Sequence, residues 1–193
     1  MFEDCTIKLA ENIYVYKNFI SNKDCEEITK YLDNLSEDRW RLVPGRQDEI
    51  KVAGGIELIK PVKDKVVSLV EDGYIVGDSH HSTRMIAGDF WGVHADVHDF
   101  EDILQASNSY VDGMPYEEKE LSIFGFIVYF NKSDGGEIFY PKQNIVYQQE
   151  PGDLVIHSSG PETEHGVKIV KSGKRYAHSN SIRKLVKVPL IDK

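Results

Sequence analysis

The segment WGVHADVHDF, residues 91–100, places His94, Asp96 and His98 at alternate positions. On an extended strand successive side chains alternate between faces, so the three point to one side. A His-x-Asp pair joined by one distant histidine makes the 2-His-1-carboxylate set that leaves open positions on non-haem iron. A strand rises about 3.3 Å per residue, so positions i and i+4 lie roughly 13 Å apart. Each ligand atom must come within about 2 Å of the metal. His94 and Asp96 can therefore share an ion on a regular strand, but His98 cannot join them. The third ligand comes from another strand, and His98 reads as a surface histidine beside the mouth of the site.

His80, His81, His157, His165 and His178 are the candidates for that third ligand. An oxygenase built on such a triad also anchors a cosubstrate. A dicarboxylate such as 2-oxoglutarate needs a cation for its far end, and the planar, always-charged fork of arginine serves best. Arg175 follows His165 by ten residues, across Ser172-Gly173. That dipeptide reads as a hairpin turn, which sets His165 and Arg175 on adjacent strands of one sheet. At the same offset His157 meets Val167 and His178 meets Val188, neither of which carries charge. The pair selected is His165 and Arg175.

These residues need a scaffold to hold them. Ile13–Tyr16 reads as a strand. Ser21 is a good N-cap with Asp24 at the capping-box position, and Cys25, Ile28, Leu32 and Leu35 recur at helical spacing, predicting a helix over 22–35. A second helix starts at Pro61, with a stripe of Val62, Val66, Leu69 and Val70, and ends at Gly73. From residue 84 onward short β-rich runs alternate with Gly and Asp turns, the pattern of an all-β sandwich or barrel. Asp134-Gly135-Gly136 is the strongest hairpin signal. The acidic stretch 99–119 reads as an insertion or lid between strands.

The chain has 193 residues, 40% hydrophobic and 28% charged, with a formal net charge of −9. This is globular composition for a single domain with a proper core. The acidic balance disfavours a sequence-independent nucleic-acid binder. The C-terminal run with Lys168, Lys171, Lys174, Arg183, Lys184, Lys187 and Lys193 reads as a solvated basic edge. Cys5 and Cys25 have no zinc spacing and make no disulfide framework, so they read as reduced thiols of an intracellular, cytoplasmic protein. No signal peptide and no membrane span is expected. P-loop, GxGxxG, GxSxG and HExxH motifs are absent from the sequence.

The sequence resembles the Fe(II)/2-oxoglutarate dioxygenases, and within them the prolyl 4-hydroxylase-like branch. The resemblance runs through IYVYKNFISNKDCEEITKYLDN, RMIAGDFWGVHAD, YFNKSDGGEIFYP, PGDLVIH and HGVKIVKSGKRY, in that order. It implies a mainly β fold with flanking helices: a double-stranded β-helix (jelly-roll) core at 81–185 and a helical support region at 1–80 whose helices pack on one sheet. It implies His94, Asp96 and His165 as iron ligands and Arg175 as the partner of the 2-oxoglutarate C5 carboxylate. Tyr129 is a plausible further donor to the cosubstrate, with a core tyrosine as the plain alternative. The implied reaction consumes O2 and 2-oxoglutarate, releases succinate and CO2, and hydroxylates a C–H bond, with ascorbate as a reductant. The substrate class is peptidyl-proline first, then another amino-acid side chain or a small amino-acid-like molecule. Met85 stands where the branch has a tyrosine that contacts 2-oxoglutarate, Trp91 where it has another tyrosine, and Glu137-Ile138 replace the residues after its glycine pair. A nucleic-acid-modifying dioxygenase and a jelly-roll metal-binding module without turnover are the competing readings.

Overall fold

The computed structural model describes residues 2, 4–43, 50–97, 100–108 and 115–190. Strands β1 (Ile7–Ala10) and β2 (Ile13–Tyr16) form an antiparallel pair. Helix α1 (Asn22–Asp33) begins where expected: Ser21 Oγ accepts from the Asp24 N–H at 3.1 Å, satisfying one of the free donors of the first turn. It ends before Leu35 because the Asn34 side chain donates back to the Lys30 carbonyl. After β3 (Arg41–Leu42) and β4 (Lys51–Ala53), α2 (Lys60–Val67) carries Pro61 in its first turn. It stops well before Gly73, as Leu69 and Val70 bond to carbonyls three residues back and tighten the chain into a 3₁₀-like turn.

The remaining elements are β5 (Tyr74–Val76), β6 (Ser82–Ile86), β7 (Trp91–His94), α3 (Phe100–Asn108), β8 (Tyr116–Tyr129), β9 (Asp134–Gly135), β10 (Ile138–Tyr140), β11 (Ile145–Tyr147), β12 (Leu154–Ser158), β13 (His165–Val167), β14 (Val170–Ser172) and β15 (Lys174–Pro189). Among the described residues the larger sheet runs β1-β2-β12-β8-β15-β6-β4-β3, with β5 also on β15. A second sheet runs β11-β10-β13-β7, and β9 pairs with β14. Every pairing is antiparallel.

Strand alternation sorts the core into layers. Phe126 and Val128 of β8, Leu154 and Ile156 of β12, and Tyr176 and Ile182 of β15 pack under Cys25, Ile28 and Leu32 of α1 and Val62 and Val66 of α2. The intervening residues Tyr129, Val155 and Ala177 turn the other way and meet Ile138 and Tyr140 of the second sheet. Two sheets thus close on each other while both helices cover the outside of the larger one. This is the expected mainly β architecture: a double-stranded β-helix with its N-terminal helices on one sheet.

Several local expectations are corrected. The segment 84–96 spans two sheets: β6 belongs to the larger and β7 to the smaller, with Gly88 at φ 98° in the turn between them. Asp134-Gly135-Gly136 closes no hairpin; it carries the chain from the larger sheet to the smaller, and β9 pairs with β14 instead. The Ser172-Gly173 turn likewise connects different sheets. The stretch 99–119 carries parts of two of these elements. Helix α3 fills part of it, and residues 116–119 already belong to β8, paired with Val186–Pro189 of β15. Ile103 and Leu104 of α3 pack against Leu121, Val186 and Val188 along that ladder. On the same ladder two residues of the basic edge meet acids: Lys187 lies opposite Glu118, and Arg183 pairs with Glu120. No described helix is long and apolar enough to cross a membrane.

His178 sits on the helix-facing side of β15, fully buried beside Phe126. Its Nδ1 donates to the His81 carbonyl at 2.7 Å, and Nε2 has no partner. Burial, with the nearby His81, His80 and Lys63 charges adding, holds its pKa down to about 3. The unfolded chain binds this proton near pH 6.5, so between about pH 3 and 6.5 the unfolded state carries more protons and stability falls as pH falls. His178 alone contributes a slope of about 1.4 kcal/mol per pH unit there. Urea unfolding from pH 7 to 4 should show at least this slope, because the buried His165 adds to it in the same window, and His178→Asn, which keeps the Nδ1-like donor, should lower it by about 1.4 kcal/mol per pH unit.

Candidate metal and cosubstrate site

β7 and β13 are neighbours in the smaller sheet, and their register sets His94 opposite His165. Cross-strand partners on one face lie close enough to share a ligand. The strand ends at His94. The chain then bends, and Val97 N–H bonds to the Ser159 carbonyl of the β12 end. That bend, rather than a continued strand, brings Asp96 over the histidine pair. Asp96 Oδ1 lies 3.8 Å from His94 Nε2 and 3.9 Å from His165 Nε2. The three ligand atoms fall within 4.8 Å of one another. His98 lies outside the described residues.

The outer nitrogens fix the orientation of both rings. His94 Nδ1 donates to the Gly92 carbonyl at 2.9 Å, and His165 Nδ1 to the Thr163 carbonyl at 3.1 Å. In each ring Nδ1 donates to a backbone carbonyl and Nε2 turns to the centre, the arrangement a metal-bound histidine requires. Burial, with the neighbouring His157 and His94 rings adding, pushes His165 down to about 3 against the pull of Asp96, so it is neutral at physiological pH. Partial burial of Asp96 raises its pKa, but the His157 hydrogen bond, with the surrounding His157, His165 and His94 rings, outweighs this and holds the carboxyl below the ordinary range. The result is two ring nitrogens and one carboxylate oxygen converging on a point, a donor set that fits a divalent iron ion.

Arg175 does not share a sheet with His165, contrary to the hairpin expectation. It starts β15 in the larger sheet, opposite Met85 of β6, and reaches the cavity from the facing wall. Its exposure is 3%. Nε donates to the Gly136 carbonyl at 3.1 Å and Nη1 lies 3.6 Å from Met85 Sδ, while Nη2 has no partner. Among the described residues it makes no ion pair. Tyr129 lies beneath it, fully buried, with the ring centroid 5.0 Å from Cζ and a phenolic oxygen without a hydrogen-bond partner. Burial pushes the Tyr129 pKa up to about 12 against the pull of the Arg175 charge, so the phenol keeps its proton and can donate it. The buried guanidinium and the phenol beside it, each with a polar atom that lacks a well-formed hydrogen bond, form a cradle for a carboxylate. This fits the far end of 2-oxoglutarate. Triad and Arg175 line one cavity of about 460 Å3.

No family model matches the sequence, and no curated protein sequence matches it. Solved structures do match its fold. The viral collagen prolyl hydroxylase vCPH of Paramecium Bursaria Chlorella virus-1, in its 2OG complex, superposes with a TM-score of 0.66 at 16% identity over 90% of this chain and 96% of that one. A Pseudomonas putida prolyl-4-hydroxylase gives 0.62 at 14% identity over 90% and 92%. A Trichoplax adhaerens prolyl hydroxylase, in complex with a hypoxia inducible factor oxygen degradation domain peptide fragment, gives 0.59 at 19% identity over 92% and 84%. The fold is that of the 2-oxoglutarate/Fe(II) oxygenases.

Within the oxygenase fold two residues escaped the sequence reading. His157 was weighed only as a ligand. It lies beside the triad with Nε2 3.3 Å from Asp96 Oδ2, while its Nδ1 is 2.9 Å from the Tyr140 hydroxyl. Gly125 is the register partner of His157, and a Cβ there would fall 2.3 Å from Asp96 Oδ2. An unbroken apolar run around a lone glycine, SIFGFIVYF, was the available signal for such a close approach. Met85, fully buried, gives Arg175 a sulfur contact where a tyrosine would have offered a hydroxyl.

Proposed function

We propose that this chain is an Fe(II)- and 2-oxoglutarate-dependent dioxygenase that hydroxylates a C–H bond of peptidyl-proline or of another amino-acid side chain. The observation that carries the reading is Arg175, a buried cation with an unengaged Nη2 in the cavity that also holds His94, Asp96 and His165. A metal-binding module without a cosubstrate has no use for that charge, and burying one unpaired costs several kcal/mol.

Iron bound here supplies the coupling of O2 activation to decarboxylation of 2-oxoglutarate, with succinate, CO2 and hydroxylated product as the outcome. The protein's residues prepare that chemistry. His94 and His165 hold their Nε2 lone pairs forward, and Asp96 offsets part of the metal charge. Arg175 and Tyr129 receive the distal carboxylate and so orient the cosubstrate. Val167 and Ala177 line the cavity with apolar surface, and Ser179 and Ser181 continue the Arg175 face of β15 with neutral hydroxyls. A neutral, hydrogen-bonding wall suits a peptide better than a polyanion, and the acidic partners along β8 compensate the basic edge. The prolyl hydroxylases among the structures of similar fold favour proline as the first substrate to try.

Anaerobic titration of the Fe(II)-loaded protein with 2-oxoglutarate tests the reading. A saturable visible charge-transfer band is expected, lost in Asp96→Ala. Absence of the band in folded, iron-loaded wild type would refute it. Turnover of proline-containing peptides, with ascorbate as reductant and succinate as the readout, then tests the substrate class.

A further inference from the structure

The contacts of His157 point to a role that metal ligation does not include. The ring is 1% exposed on β12 and stacks obliquely on the His165 ring, with centroids 4.1 Å apart. Its two nitrogens face different groups. Nδ1 meets the Tyr140 hydroxyl, which is fully buried and kept protonated, chiefly by that burial, with the Asp96 carboxylate adding. Nε2 meets a carboxylate oxygen, Asp96 Oδ2. An unprotonated Nε2 would set lone pair against anion, so the proton sits on Nε2 and Nδ1 accepts from Tyr140. In that tautomer Nε2 carries the proton and the Nδ1 lone pair is taken by Tyr140, so neither nitrogen is free to ligate a metal, although the ring stands beside the three candidate ligands. Gly125 makes the contact possible, since a side chain there would occupy the space between Asp96 Oδ2 and His157 Nε2, its Cβ being 2.3 and 2.8 Å from them.

We infer that His157 is a positioning residue for Asp96: locked by Tyr140, it engages Oδ2 and leaves Oδ1 alone to face the two ligand histidines, fixing one-oxygen ligation. The relay Tyr140–His157–Asp96 starts in β10 of the smaller sheet, crosses to β12 of the larger sheet and returns to the bend after β7. It therefore couples the closure of the two sheets to the aim of the carboxylate. The inference rests on the metal-site reading above and deepens it.

Co(II) serves as probe, because its visible absorption reports ligand number and geometry without any need for turnover. Wild type, His157→Phe, His157→Gln, Tyr140→Phe and the double variant Tyr140→Phe/His157→Phe are titrated with Co(II) in the absence of 2-oxoglutarate, with thermal unfolding of each metal-free protein alongside. His157→Phe should weaken Co(II) binding by about 10–100-fold and change the absorption envelope. His157→Gln, whose amide nitrogen falls near the Nε2 position, should retain most of the affinity. Tyr140→Phe removes one oxygen remote from the metal and keeps the ring, so it should fold; it should still lose part of the affinity. The double variant should be no weaker than His157→Phe, since both act through one relay. Affinities of His157→Phe and Tyr140→Phe within twofold of wild type with unchanged spectra would overturn the inference, as would strictly additive losses. Wild type that fails to bind Co(II) would bring down the metal-site reading itself, a result distinct from a bound wild type indifferent to His157.

Discussion

Arg175→Met should weaken 2-oxoglutarate binding to the iron-loaded protein at least ~100-fold while leaving the ligand-free protein as stable as wild type or more so. One charge-assisted hydrogen bond at about 1.5–3 kcal/mol corresponds to a factor of roughly 10–150, and a guanidinium offers two to a carboxylate. Stability moves the other way because the native cation is buried with no counter-charge among the described residues, so an apolar side chain of similar length relieves a desolvation cost. Loss of the Nε donor to the Gly136 carbonyl offsets part of that gain, by about 1–3 kcal/mol. Arg175→Lys keeps the charge without the fork and should bind with intermediate affinity. Calorimetric titration with 2-oxoglutarate and thermal unfolding without it read the two effects separately. Undiminished binding in Arg175→Met would remove the cation from the cosubstrate site. A large fall in its thermal midpoint would mean that Arg175 holds the fold together.

Gly125→Ala should abolish tight metal binding with little effect on the fold. The added methyl lies 2.3 Å from Asp96 Oδ2 and 2.8 Å from His157 Nε2, both inside contact distance. Something must yield, and Asp96, on a bend with its side chain 29% exposed, moves more readily than the buried His157 ring. The carboxylate then leaves the point where His94 and His165 converge. Losing one of three protein ligands and the only anionic one should lower Fe(II) or Co(II) affinity by ~100-fold or more, close to Asp96→Ala. Gly125 has no left-handed backbone requirement, and an alanine suits a strand better than glycine does, so the far-ultraviolet spectrum should be unchanged. Wild-type metal affinity in Gly125→Ala would show that Asp96 is not held where the site needs it.

The chemistry of the site was legible because it depends on residue type and short spacing. His94 and Asp96 were marked by their alternation, and His165 with Arg175 by the offset between a ligand and a cation. The capped stripe of α1 was legible for a similar reason, since helical periodicity is written in neighbouring residues. What the sequence misplaced was which strand pairs with which. Asp134-Gly135-Gly136 and Ser172-Gly173 do turn the chain, with Gly135, Gly136 and Gly173 at positive φ. A turn residue fixes a local backbone angle, though, while strand pairing is decided by packing between segments far apart in the chain. His165 and Arg175 therefore came out on opposite walls of the cavity rather than side by side on one.

His157 was invisible as a second partner of Asp96 for the same reason. Its role is set by Tyr140 from the other sheet and by the missing side chain at Gly125 on the next strand, and no spacing within PGDLVIH encodes either. The sequence by itself determined the inventory: two histidines, a carboxylate, a cation and the alternating strands to carry them. Only the tertiary structure decided their convergence, because closing the smaller sheet over the larger one brings residues from β7, β12, β13 and β15 around a single cavity.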